Sequence, residues 1–134
     1  MYEYQLIQST GFRNHGPEGA RDGFEVRLRL PNYRGMRLSL LDGIAVTIDG
    51  EFFGPEVNKL ILNGNVYDLE GMRDATTVRW AMGDIGSVLV PKAGGLTPGI
   101  HHLKVAALVR SPYFPPHLQP LPVNGERLGT IVLP

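Results

Sequence analysis

Phe24-Glu25-Val26-Arg27-Leu28-Arg29-Leu30, closed by Pro31, is the stretch that decides how this chain is read. Phe24, Val26, Leu28 and Leu30 share one parity; Glu25, Arg27 and Arg29 share the other. Side chains alternate across a strand, so the stretch is a strand with one core face and one wet or paired face. Pro31 has no N–H to give a central ladder, so the strand ends there or reaches a sheet edge. The short connection that follows presents Tyr33 and Arg34, and Gly35 permits a turn that a side chain resists. Tyr and Arg are the side chains that most often anchor interfaces, each costing ~2 kcal/mol or more when truncated at a hot spot. The alternative is a solvated loop with Tyr33 lying back on the core.

Outward from this strand, Gly and Pro punctuate the chain, 17 and 11 among 134 residues. The longest stretch free of both runs from Ile100 to Ser111, so helices of ordinary length keep meeting a breaker. Short strands and turns do not. Upstream, Met1 to Gln8 reads as an edge strand and Ser9 to Gly23 as a loop, which makes 1–23 a peripheral segment. Downstream, Met36 to Leu41 is a short apolar segment closed by Asp42-Gly43, and Ile44 to Ile48 is a β-branched strand. Asp49-Gly50 and Asn63-Gly64 are hairpin turns, because a type I′ turn needs positive φ at both central residues. Glu51 to Phe53, Lys59 to Leu62 and Asn65 to Tyr67 are the strands they join. Leu69 to Ala75 is the place for a helical turn, and Thr76 to Trp80 and Gly86 to Val90 resume strand.

Pro91 to Gly99 is a loop. Ile100 to Arg110 is the longest strand, with Leu103, Val105, Ala107 and Val109 facing inward. Its other parity, from His102 to Arg110, is only partly polar and expects partial cover. Pro112, Pro115, Pro116, Pro120 and Pro122 then make an extended strap over 111–126, and 127–133 forms a closing strand. The pattern predicts one all-β domain over 1–134, an antiparallel β-sandwich of jelly-roll-like form.

Charge and composition narrow the function. Lys plus Arg equals Asp plus Glu at 13 each, whereas nucleic-acid binders carry a positive excess to neutralise phosphates. No run is long and apolar enough to span a bilayer, and the N-terminus lacks the apolar heart of a signal peptide. There is no cysteine, which removes disulfides and thiolate chemistry and suits a cytoplasmic protein.

Candidate chemistry is sparse. His101 and His102 are adjacent on a strand and point to opposite faces, and His15 and His117 stand apart, so no ligand spacing marks a metal site. Asp42 and Asp49 are read as turn residues, Glu70, Asp74 and Asp84 surround the Met72–Trp80 region without a spacing that demands a carboxylate pair, and no serine sits in a nucleophile elbow. Gly94-Gly95 lacks the lysine and helix of a phosphate loop. Aromatics beside arginine or proline are more telling: Tyr33-Arg34, Arg79-Trp80, and Tyr113-Phe114 before Pro115-Pro116. Trp80 fits a sandwich core, and it is also a candidate for a pocket edge. Tyr113 and Phe114 are flanked by prolines on a backbone that crosses the surface, a partner-docking device.

Six motifs in fixed order carry a resemblance: Leu30-Pro-Asn-Tyr-Arg-Gly-Met-Arg-Leu-Ser39, Val46-Thr-Ile-Asp-Gly-Glu51, Gly64-Asn-Val-Tyr67, Val78-Arg-Trp-Ala-Met-Gly83, Gly94-Gly-Leu-Thr-Pro-Gly-Ile-His101 and Ser111-Pro-Tyr-Phe-Pro-Pro116. Together the chain resembles the small (β) subunit of bacterial C-glycoside deglycosidases, from about Phe24 to Pro116. The resemblance implies a heteromeric lyase. A sugar-isomerase-like TIM-barrel α subunit holds a divalent metal, usually manganese, and the catalytic base. The substrate is a 3-oxo C-glycoside of a polyphenol, whose sugar–aglycone carbon–carbon bond breaks by β-elimination. This chain then binds no cofactor of its own and contributes no catalytic residue. Tyr33, Arg34, Trp80, Tyr113 and Phe114 are the expected partner-interface or pocket-edge residues. Two other readings are a stand-alone carbohydrate-binding sandwich and a purely structural subunit.

Overall fold

The alternation over 24–30 becomes a central strand. In the computed structural model, which describes residues 6–29, 36–81, 84–110, 115, 117 and 120–134, strand β2 runs Gly23–Arg29 and buries Phe24, Val26 and Leu28 completely. It is flanked by β1 (Arg13–His15) and by β9 (Ile85–Pro91), whose Gly86, Val88 and Val90 point the same way. Beyond β9 lie β6 (Lys59–Leu62) and β7 (Asn65–Tyr67), giving a sheet of order β1-β2-β9-β6-β7.

The second sheet has the order β11-β10-β4-β5, with β4 at Leu41–Ile48, β5 at Glu51–Phe53, β10 at Gly99–Val109 and β11 at Leu121–Ile131. A two-stranded ribbon pairs β3 (Met36–Arg37) with β8 (Arg79–Trp80). Helix α1 (Leu69–Asp74) is a single short turn and a half, capped by Asp68, whose carboxylate accepts the Gly71 N–H at 2.7 Å. Every pairing among the described strands is antiparallel. The inward rows of the two sheets meet in one continuous core, Val26, Leu60 and Val88 from one side and Val46, Leu103 and Val105 from the other. The architecture is therefore the all-β sandwich that the alternation predicts.

Both hairpin turns form as expected: Asp49 and Gly50 have φ of 49° and 87°, Asn63 and Gly64 of 51° and 83°. Four boundaries differ. The loop expected over 9–23 contains β1, whose buried Asn14 is held by hydrogen bonds and so leaves no hydrophobic period to see. Asp42-Gly43 does not end a strand. β4 runs through it with Gly43 at φ 100°, opposite a register shift between Ala107 and Val109 on β10. That is a bulge, which glycine accommodates. Strand structure in 76–80 is confined to Arg79–Trp80.

The strap and closing strand divide at Leu121 rather than after Glu126, because 121–126 already pairs with β10. Pro122 is tolerated there since β11 lies at a sheet edge. Of the expected strand over 1–8, residues 1–5 lie outside the described residues. Ile7 makes one isolated bridge to Leu28. No described helix is long and apolar enough to cross a membrane.

Candidate functional site

The site begins with where the aromatic and arginine motifs leave the sandwich. Tyr33, Arg34, Tyr113 and Phe114 lie outside the described residues, but their flanks are well placed. Arg29, the last residue of β2, pairs with Ile85. Met36, the next described residue, pairs with Trp80. The Trp80 indole N–H donates to the Asp84 carbonyl at 2.9 Å, and the Ala81 N–H meets an Asp84 carboxylate oxygen at 3.3 Å. Leu38 N–H donates to Val78 O at 2.8 Å, and Arg110 N–H donates to Leu40 O at 2.7 Å. Val109 pairs in backbone register with both Leu41 and Leu121. The described residues that flank both motifs, Met36 and Arg110, thus lie at one end of the sandwich, around the β3-β8 ribbon.

Trp80 is the wedge that holds this end together, and it is not an edge residue. Its side chain is wholly buried, so of the two roles weighed for it the core is the one it occupies, and it offers no surface to a partner. Gly86 makes room for it: a Cβ there would stand 3.0 Å from both the indole and Leu60. The buried aromatic joins the ribbon to the five-stranded sheet.

The charges at this end are arginine-rich. Arg37 and Arg79 sit directly opposite each other on the ribbon, and Arg29, at the end of β2, is exposed. Like charges across a strand pair are mutually unfavourable. Asp42, with only 11% of its side chain exposed, accepts from Arg110 Nε at 2.8 Å and lies 3.9 Å from Arg73 Nε. One carboxylate therefore ties β4 to the end of β10 and to α1.

At the opposite end the Asp49-Gly50 turn is fastened to β10. The Asp49 carboxylate accepts the His102 backbone N–H at 2.8 Å and the His101 Nδ1–H at 2.5 Å. His101 Nε2 faces the Thr97 carbonyl at 2.7 Å. Both ring nitrogens thus face acceptor oxygens, an arrangement that favours the doubly protonated ring. Burial lowers the His101 pKa, but the hydrogen bond and charge of Asp49 and the Thr97 carbonyl outweigh it, and the net shift is upward. The same hydrogen bond, with the His102 N–H, lowers Asp49.

The sign follows from linkage. The His101 contribution is complete below its ordinary pKa and is lost as pH rises through the raised value. The Asp49 contribution is complete above its ordinary pKa and is lost as pH falls through the lowered one. The stability advantage of the wild type over His101→Gln, read from urea midpoints, is therefore expected to be largest on the acid side of neutrality and to shrink towards alkaline pH. A flat difference would contradict the paired imidazolium. Asp49 is half exposed, so the effect is that of a screened pair.

Sequence reading placed Asp49 in its turn but did not join it to His101. The signal was present in part, since His101 shares the inward parity of Leu103 and Val105. These side chains do not assemble into a metal site. His101 is committed to Asp49 and Thr97, and His102 Nε2 meets Glu126 at 3.0 Å. Among the described residues no group of three or more His, Asp or Glu is placed to hold an ion.

A protein-family model described as the C-glycoside deglycosidase beta subunit matches residues 2–113. A C-glycoside deglycosidase beta subunit from Eubacterium cellulosolvens is 35% identical over 118 residues, covering 87% of this chain and 80% of that protein. A 3'-dehydrocarminate deglycosidase beta subunit from Microbacterium sp. is 31% identical over 99 residues, covering 74% of each.

Proposed function

This chain belongs to the C-glycoside deglycosidase beta subunit family, and on that premise we propose that it is the supporting half of a lyase that splits the carbon–carbon bond between a sugar and an aromatic aglycone. The beta-subunit identity implies a hetero-oligomer. The partner proposed is a sugar-isomerase-like TIM-barrel α subunit carrying the catalytic base and a divalent metal, manganese being the expected ion. The described residues of this chain do not fit that metal. We place the complex in the cytoplasm, in keeping with a chain free of cysteine.

The substrate proposed is a 3-oxo C-glycoside of a polyphenol. The Microbacterium relative supports this, because its name specifies a 3'-dehydro compound. A ketone at C3 acidifies the C2 proton, so a general base on the partner can remove it. The electron pair forms a C1–C2 double bond as the aglycone leaves C1, and the aglycone ring carbon takes up a proton.

The role of this chain is to complete the pocket and hold the partner's loops. The observation that supports this is that Met36 and Arg110, the described residues flanking the motifs with Tyr33, Arg34, Tyr113 and Phe114, share the Trp80 end.

The test is turnover of a 3-oxo C-glucoside by this chain alone, by the α subunit alone and by the two mixed. Only the mixture is expected to react at full rate. Full activity of this chain alone would overturn the division of labour. Tyr33→Ala with Arg34→Ala then separates two roles: lost turnover with assembly retained on size exclusion marks a pocket edge, and lost assembly marks a scaffold.

A further inference from the structure

We propose that the outer face of the sheet β11-β10-β4-β5 holds a binding site for a neutral polyhydroxylated ring, a pyranose, seated against Phe52. The register builds it. Phe52, Thr47, Lys104 and Glu126 stand side by side across all four strands. In the next row Ala45, Ala106 and Asn124 are aligned in the same way, with Gly125 beside them. The first row is tall and the second is low, so the face is hollow. The cleft measures about 600 Å³, a size that suits a small-molecule ligand.

Its walls specify the ligand. Phe52 is 66% exposed and belongs to no described aromatic pair, so its ring is an open platform for the C–H face of a sugar. Among the described residues the side chains of Thr47, Lys104 and Asn124 make no hydrogen bond, and one oxygen of Glu126 remains after His102 takes the other. Donors and acceptors are therefore both present, as vicinal hydroxyls require. Lys104 and Glu126 oppose each other in register, so an anion meets the carboxylate and a cation meets the ammonium. A neutral ligand satisfies both. The small floor of Ala45, Ala106 and Gly125 lets a ring approach the sheet.

The inference stands on this face alone and does not draw on the assembly proposed above. Its test is titration of the isotope-labelled full chain with methyl β-glucopyranoside, followed by backbone amide shifts. Saturable shifts are expected around residues 45–47, 104–106 and 124–126. Phe52→Ala is expected to weaken binding by about tenfold, as loss of an aromatic contact implies. Ala106→Leu, which fills the floor from the solvent side, is expected to abolish it. Both variants should keep the wild-type circular dichroism spectrum. The absence of saturable shifts would overturn the proposal, as would binding that both substitutions leave unchanged. Equal shifts with inorganic phosphate would overturn it too, by showing an anion site. Co-elution with the α subunit is measured separately, so failure here leaves the subunit assignment untouched.

Discussion

Trp80→Ala is expected to lower the unfolding free energy by about 3–5 kcal/mol, the range for emptying a fully buried aromatic site. The side chain is wholly enclosed, and its neighbours Gly86 and Leu60 are on a sheet that is paired on both sides and cannot collapse into the void. The indole N–H bond to Asp84 O disappears as well. The β3-β8 ribbon has only two paired positions of its own, so it relies on this wedge.

The consequence extends to the ribbon, because Met36, the first described residue after the Tyr33-Arg34 motif, pairs with Trp80 there. Chemical denaturation followed by circular dichroism reads the effect; fluorescence does not, since Trp80 is the sole tryptophan. Trp80→Phe keeps most of the volume and is expected to lose markedly less. A loss below about 1 kcal/mol for Trp80→Ala would mean that the indole is not filling the core in this way.

Asn14→Ala is the second large effect. The Asn14 amide donates to Leu96 O at 2.9 Å and to Leu133 O at 3.2 Å, and its carbonyl accepts the Leu96 N–H at 2.7 Å. One side chain thus pins the 91–99 connection and the C-terminal residues to β1. Truncation strips partners from both backbone groups of a buried residue, at about 1–3 kcal/mol for each group left bare.

Gly95 packs so closely that an added Cβ would lie 2.6 Å from the Asn14 carbonyl oxygen, which leaves little room for water to take over. Asn14→Asp retains the acceptor but sets a carboxylate against two carbonyls, so it is expected to be at least as damaging. Hydrogen exchange at the Leu96 amide is the sharpest readout: its protection should fall well beyond the global change. Unchanged protection would show that the clamp is not what orders the connection.

His101 and Asp49 show the boundary between what a one-dimensional reading can and cannot reach. Each was interpretable alone, Asp49 as the first half of a turn and His101 as an inward position on a strand. Their pairing spans 52 residues of chain and depends on the register of β4 against β10, which no local pattern records. Asn14 lies further out of reach. A buried amide satisfied by backbone groups more than eighty residues away leaves no hydrophobic period and no motif.

Sequence alone determined the fold class, the β2 strand, both hairpin turns, the position of the short helix and, through ordered motifs, the family. Those properties rest on parity, on positive φ and on missing N–H groups, which act between near neighbours. Tertiary structure alone decided that Trp80 is a wedge rather than a rim, that β11 begins at Leu121, that Asp42 and Gly43 form a bulge, and that a hollow opens beside Phe52. These depend on which strands lie side by side and in what register, and that is set by the packing of the whole core.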